Sequence, residues 1–537
     1  MKRSLALLMS LCLCMGAMNA LADVAVSEPG QMPIVTEPLT LRVWAVQDTI
    51  VEDIATNKTT LWAQEKTGIE IEWTVVSPEE RVTQLNLSLA SGDYPDIYLT
   101  RFTTDVVQLY GEHGVFIPLN DLIEEHGYYT QLVFEENPEF RDYYTAPDGN
   151  IYASIYNDPG EHMLSQNKMF VNTDFLAAAG LDMPETTEEF REMLIAFRDL
   201  DLNGNGDASD EIPLIGANCL PTDNIRPSEP VGYLMNPFQL YTGDYLLAQD
   251  NQVTFIANTD GWREGLRYMA GLFADGLLAE ETFVQDDNQL KALTSVAEPE
   301  NRIVGAFSAM WQGVAVTTTV IPNGYDLYAP VPPLEGPAGL KQSASRGYGD
   351  LRLQGIITSA CKEPAAAFKW LDFWLSEEAT VVVDYGFEGE EYEWSDTPAI
   401  SGAVPSRLRT ASDKWSTVQN DIYGLSTVPH YRTSAILYSR TPTDHVPYLY
   451  AGAQLYAPHY VFAGFPPFVW ASDTDMINEI NELATLINDY VRTSYTQFIL
   501  GLNDIDDDEA WQTYVDTLAD MGLNRYLELK QLTVFGE

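Results

Sequence analysis

Basic side chains are scarce in this chain: 29 Lys and Arg stand against 79 Asp and Glu among 537 residues, a formal net charge of −50. A surface of that sign repels nucleic-acid phosphates and anionic membranes, which excludes both as partners. It also disfavours a polyanionic ligand unless Arg or Lys gathers locally. Cysteine is nearly absent, with four residues, and Cys12 and Cys14 fall close to the N-terminus. Cys219 and Cys361 alone build no disulfide scaffold, and sequence leaves open whether they pair or stay as two thiols. The six histidines never stand three or four apart, so none makes a paired ligand on a helix face. No Gly-x-Ser-x-Gly elbow, no His-Glu-x-x-His helix and no Gly-rich phosphate loop with Lys is present. Nothing demands an enzyme, and an abundance of carboxylates is not by itself a glycosidase pair.

Long apolar runs are missing as well. Past the N-terminus no stretch reaches the about 20 uninterrupted apolar residues of a membrane helix. The start reads as an export signal over residues 1–22: Lys2 and Arg3, an apolar run from Leu5 to Met18, then the small-x-small site Ala20-Leu21-Ala22 before Asp23. Leu11 and Leu13 precede Cys12 and Cys14 where a lipoprotein signal carries a small residue, which argues against a lipid anchor. The mature chain is therefore expected outside the cytoplasm, secreted or at the extracellular face of the envelope.

What is present is ordinary globular composition, 45% hydrophobic and 11% aromatic, long enough for two cores. Residues 23–39 hold Pro29, Gly30, Pro33 and Pro38 with little periodicity and read as a mobile leader. Alternation over residues 39–44 then predicts a strand, residues 62–67 a helix, 69–76 a strand, 82–89 a helix and 97–99 a strand. This β-α-β-α-β order argues for a mainly parallel sheet covered by helices. Farther on, Thr186 with Glu189 forms a capping box, and Phe190, Met193, Leu194 and Phe197 share one helical face. Residues 262–272, 365–375 and 477–491 carry further helical patterns; Trp62, Trp370 and Trp374 lie in such patterns and read as core.

In order along the chain, Ser91-Gly92-Asp93-Tyr94-Pro95-Asp96-Ile97, Asp148-Gly149-Asn150-Ile151-Tyr152 and Asn172-Thr173-Asp174-Phe175-Leu176 resemble segments of the family 1 extracellular solute-binding proteins, in particular their longer LipO-like members. The first resembles the family's "sG-x-x-PDi" segment, and the second its "DGkiYa" hairpin. Asn172-Thr173-Asp174-Phe175-Leu176, followed by Gly180-Leu181-Asp182-Met183-Pro184-Glu185-Thr186, is similar to "N-x-d-x-L…GL-x-x-P-x-T". Gln497-Phe498-Ile499-Leu500-Gly501 and Met521-Gly522-Leu523 stand where the longer members carry "kFI-x-G" and "mGl". The resemblance runs from about residue 40 to the C-terminus. It implies a two-lobed, periplasmic-binding-protein-like α/β fold of type II with a hinge, the lobes drawn from residues 40–155 plus about 350–400 and from about 156–349 plus 401–537. It implies a monomeric receptor that delivers a carbohydrate, an oligosaccharide above all, to an ABC transporter permease. A peptide or other small-solute receptor is the alternative within the class, and a secreted glycan-degrading enzyme the alternative outside it.

Two sets of candidate site residues follow. In Asp201-Leu202-Asn203-Gly204-Asn205-Gly206-Asp207, side-chain oxygens at alternate positions of a tight loop can converge on a hard cation such as Ca²⁺, and Gly206 permits the turn. Asp207 could offer its carbonyl, with Asp210 and Glu211 closing the shell. Position twelve, where an EF-hand places Glu, is Ile212, and a strand follows instead of a helix, so only the first half is EF-hand-like. Related binders, those of alginate oligosaccharides among them, carry a similar calcium-holding loop, and the resemblance implies a structural ion. For ligand, the loops leaving the C-terminal ends of strands line the cleft in such lobes. That rule selects Trp44, Gln47 and Asp48, then Tyr98 and Arg101, then Trp311 and Gln312, and finally Arg346 and Tyr348 near a lobe crossing.

Overall fold

The computed structural model describes residues 24–536 apart from 159, 161–162, 220–225, 399–403, 410–417, 422–427, 433–444 and 472–473. The export segment 1–22 lies outside the described residues. The first sheet is built on the strand Leu39–Val46, which runs parallel between Ile69–Val76 and Ile97–Leu99. Its central residues, Val43, Ala45, Ile97 and Leu99, are buried, as a strand covered on both faces requires. The sheet continues antiparallel through Gln354–Ile357 to Ala153–Ser154. Helices fill both sides. Lys58–Thr67 ends at Gly68, whose φ of 76° and close approach to the Val35 carbonyl, 2.4 Å from any added Cβ, leave glycine as the fitting residue. In Pro364–Phe373, Trp370 is fully buried, as is Trp374 just beyond it, and Trp62 packs against Phe373 at 5.5 Å between centroids.

The stretch expected to be a mobile leader is instead part of this first core from Val24 onward. Ile34 and Val35 are buried, the Ile34 N–H donates to the Thr67 carbonyl at 2.8 Å, and Lys369 donates to the Glu28 carbonyl at 2.9 Å. Full burial of two branched side chains contributes about 1.5–3 kcal/mol each toward the cost of ordering this segment.

The second sheet runs Tyr328–Val331, Lys168–Asn172, Val304–Ala309, Ile212–Ile215, with two antiparallel pairings and one parallel. Both sheets are thus mixed, because strands on the returning passes of the chain enter from the opposite end. The helix Thr187–Asp199 has the capping box formed by Thr186 and Glu189 and buries Phe190, Met193, Leu194 and Phe197. Asp260–Ala274 and the 26-residue Thr474–Ile499 pack together over the same core. Among the described residues no helix is long and apolar enough to cross a membrane. Cys219 and Cys361 are free thiols, and burial pushes them up to about 11 and about 12.

The two cores are joined where several passes of the chain meet. Tyr156–Asp158, Asp350–Leu351 and His430–Tyr431 form one small sheet. Arg432 ties it together, donating to Asp384 at 2.6 and 2.9 Å and to Asp158 at 3.2 Å. His430 is buried there, stacked on Tyr156 at 5.4 Å and 3.8 Å from Asp384. Burial holds its ring below the ordinary 6.5, and Arg432 and Arg352 push the same way, while Asp384 and Asp158 oppose. The unfolded chain takes up a proton at this ring near pH 6.5 and the folded chain only at lower pH. Stability is therefore full above about 6.5 and lost as pH falls through the window beneath it. The melting temperature of the wild type relative to His430→Phe should fall between pH 7.5 and pH 5; a constant difference would show that His430 titrates normally.

Candidate functional site

A cleft of about 600 Å³ opens between the two cores. Its wall on the first core includes Arg101, Phe102 and Asp105, at the end of the strand Ile97–Leu99 and the start of the helix Thr104–Glu112. The opposite wall includes Tyr241, Asp244 and Lys530, with Ile477 and Asn481 of the long helix. The floor is made by two crossing passes, residues 164–167 and 344–346. These passes are bound to each other: Ser165 and Ser343 share a buried hydroxyl–hydroxyl bond of 2.7 Å, and the Arg346 N–H donates to the Leu164 carbonyl at 3.0 Å. Across the opening, Asn481 donates to the Asp105 carboxylate at 3.0 Å.

Aromatic faces come largely from a segment that sequence reading passed over, Phe462, Phe465 and Phe468. This segment has no helical or alternating period, only an apolar composition broken by Gly464, Pro466 and Pro467. Its position is fixed by backbone. The Ala248 N–H donates to Ala463 O at 2.9 Å, and at Gly464 (φ 92°) any Cβ would lie 1.7 Å from Ala248 O. Phe468 packs edge-on against Tyr144 at 5.1 Å, while Phe462 is nearly half exposed beside Tyr348. Together they supply apolar planes of the kind that stack on the C–H faces of a small polar ligand.

Of the nine residues selected from sequence, Arg101, Arg346 and Tyr348 line this cleft. The other six lie elsewhere. Trp44, 3% exposed, packs edge-on against Tyr98 inside the first core. Tyr98 is buried, its hydroxyl shared with Ser88 at 2.7 Å, and burial pushes that phenol up to about 12. Both belong to strand positions facing helices, so pleat alternation turns them away from the cleft. Gln47 is used locally, accepting from Ile54 N–H and donating to Val51 O, and Asp48 accepts from Ile50 N–H in a turn. Trp311 packs on Tyr325 and His445, and Gln312 is buried, donating to the Tyr328 carbonyl at 3.4 Å.

The Asp201 loop closes on itself. Asp201 accepts N–H donations from Gly204 and Gly206 at 2.9 Å, Asn203 from Asn205 at 2.9 Å, and Asn205 from Asp207 at 2.7 Å, while Asn205 donates to Asp210 at 2.6 Å. Gly204 and Gly206 both take positive φ. Glu211, 8% exposed, accepts from Leu202 N–H at 2.8 Å through one oxygen. Its second oxygen is buried with no hydrogen-bond partner among the described residues, and burial, with Asp210 adjacent, raises this carboxyl above its ordinary range. Among the described residues no three Asp, Glu, His or Cys side chains converge as a metal cluster; the loop's oxygens come in part from asparagine. An orphaned buried carboxylate oxygen beside amide and carboxylate oxygens fits a hard cation.

Residues 45–381 match the family model described as bacterial extracellular solute-binding protein. The chain is 28% identical over 492 residues to the fructooligosaccharide ABC transporter substrate-binding protein FusA of Streptococcus pneumoniae, covering 87% of this chain and 85% of that one. The structure of FusA in complex with kestose matches with a TM-score of 0.75 at 25% identity over 92% of this chain and 98% of FusA. A second FusA structure, an EF-hand mutant in complex with fructo-nystose, matches with the same TM-score at 24% identity, again over 92% and 98%. The fold is shared further with a solute-binding protein from Bifidobacterium longum infantis that binds HMO, at 19% identity and a TM-score of 0.76 over 92% and 98% of the two chains.

Proposed function

Because the chain belongs to the bacterial extracellular solute-binding proteins, we propose that its cleft takes an oligosaccharide and hands it, unchanged, to the permease of an ABC importer. The observation that carries this reading is the cleft itself: about 600 Å³ between two separate cores, floored by polar crossing segments and faced with Phe102, Tyr241, Tyr348, Phe462, Phe465 and Phe468. A sugar presents apolar C–H faces and a rim of hydroxyls, and such a wall answers both. Arg101, Arg346 and Tyr348, which line the cleft, are read as contacts to the sugar. The first lobe is read as residues 40–155 with about 350–400, joined by the packed stretch from Val24 and by Val428, Phe468 and Trp470, and the second as about 156–349 with the remainder of 401–537. Ligand that touches both lobes favours the arrangement in which both contacts are made, by its differential affinity for that state. Family membership carries transport, not turnover.

FusA, with its kestose complex, supplies the first probes. Kestose and fructo-nystose should raise the melting temperature of the purified protein with no product formed; ligand at 100 times its Kd adds about 2.7 kcal/mol. Stabilisation by peptides alone, or release of monosaccharide, would overturn the reading.

The loop reading is that Asp201, Asn203, Asn205 and Glu211 hold a structural Ca²⁺, with Asp210 and the Asp207 carbonyl contributing. One of the FusA structures is that of an EF-hand mutant. The ion would neutralise a crowded set of oxygens and stiffen the link between the helix Thr187–Asp199 and the strand Ile212–Ile215. Chelator should lower the melting temperature, added Ca²⁺ restore it, and Glu211→Gln weaken the response by a factor of ten or more in Ca²⁺ concentration. Indifference of the wild type to both chelator and Ca²⁺ would dismiss the ion.

A further inference from the structure

Two amides in the cleft floor are buried without being used. Gln166 is 2% exposed and Asn167 is 5% exposed, and both line the cleft. Both polar atoms of the Gln166 side chain, Oε1 and Nε2, and the Nδ2 of Asn167 have no hydrogen-bond partner among the described residues. Their neighbours on either side are satisfied: Ser165 is bonded to Ser343, and Lys168 donates to the Met310 carbonyl at 3.3 Å. An unpaired buried amide group costs about 1–3 kcal/mol, so two adjacent ones on a cleft floor need a partner from outside the chain.

We propose that Gln166 and Asn167 anchor the deepest unit of a neutral oligosaccharide through a pair of adjacent hydroxyls. This rests on the proposed function and narrows its ligand. A carboxamide presents one acceptor and one donor group side by side. Adjacent sugar hydroxyls, each able to donate and to accept, match that pair. A carboxylate only accepts, so it would leave Gln166 Oε1 unpaired and facing negative charge. An ammonium only donates and would leave Nε2 and Nδ2 unpaired. The Asn167 amide is held in place by packing: at Gly232 a Cβ would lie 2.4 Å from Nδ2, so only glycine leaves room for the amide there. Rigid support of this kind is what gives a polar contact its specificity. The two amides also sit on the pass that is bonded to the second crossing, so a sugar held by them grips the junction of the lobes.

The test is calorimetric titration with kestose of the wild type, Gln166→Leu and Gln166→Met, with melting temperatures of the ligand-free proteins in parallel. Both variants keep the bulk of the side chain and lose its polar atoms. Kestose Kd should rise at least tenfold in each, while the ligand-free melting temperature stays level or rises, because an unpaired buried amide has been removed. Wild-type affinity in the variants would overturn the inference alone, as would a lower melting temperature at unchanged Kd, which marks a structural amide. A wild type that binds neither kestose nor fructo-nystose would overturn the proposed function and this inference with it.

Discussion

The chain must pass repeatedly between two cores that are packed separately, and each pass carries backbone groups that cannot be left unpaired once buried. That constraint organises the middle of the molecule. The small sheet of Tyr156–Asp158, Asp350–Leu351 and His430–Tyr431 pairs three passes through backbone bonds. Arg432 then donates to Asp158 and Asp384, and Arg352 to one oxygen of Asp350, with charge-assisted bonds. A fourth contact, Ser165 with Ser343, binds the passes that floor the cleft. The cleft lies beside these crossings, and the Asn481–Asp105 bond spans its opening.

The strongly acidic surface and the character of the cleft are separate features. A net charge of −50 governs solubility and which partners are repelled. The cleft is lined by aromatic faces and by the carboxamides of Gln166 and Asn167, groups that contribute no net charge. Three basic side chains, Arg101, Arg346 and Lys530, and two acidic ones, Asp105 and Asp244, line the same space, so the wall lacks the acidic excess of the surface. A neutral polyhydroxyl ligand meets no electrostatic obstacle there.

The Asp201 loop shows how local and tertiary demands meet. Alternate side chains turn inward to accept the loop's own N–H groups, which a short Asp/Asn/Gly sequence does unaided. Glu211 differs, because it is drawn into the loop from the first residue before a strand of the second sheet. Its unpartnered oxygen arises from that docking, not from the turn.

Local pattern alone determined much of this protein. Alternation and capping placed the strand Leu39–Val46, the strand Ile97–Leu99, the helix Thr187–Asp199 and the burial of Trp370 and Trp374, since each depends on neighbours a few residues away. Ordered family-like strings gave the two-lobed fold and the class of function. The mixed pairing of both sheets and the packing of Ile34 and Val35 were not legible, because each depends on partners from distant passes of the chain. The cleft was legible only in part. Arg101, Arg346 and Tyr348 follow from strand ends and a crossing, but pleat direction buried Trp44 and Tyr98 in the core. Gln166, Asn167 and Phe465 carry no periodic signal, and residues separated by some hundreds of positions meet only when the crossings close. Which side chains face the cleft is a property of the relative placement of two cores, and long-range contacts alone decide it.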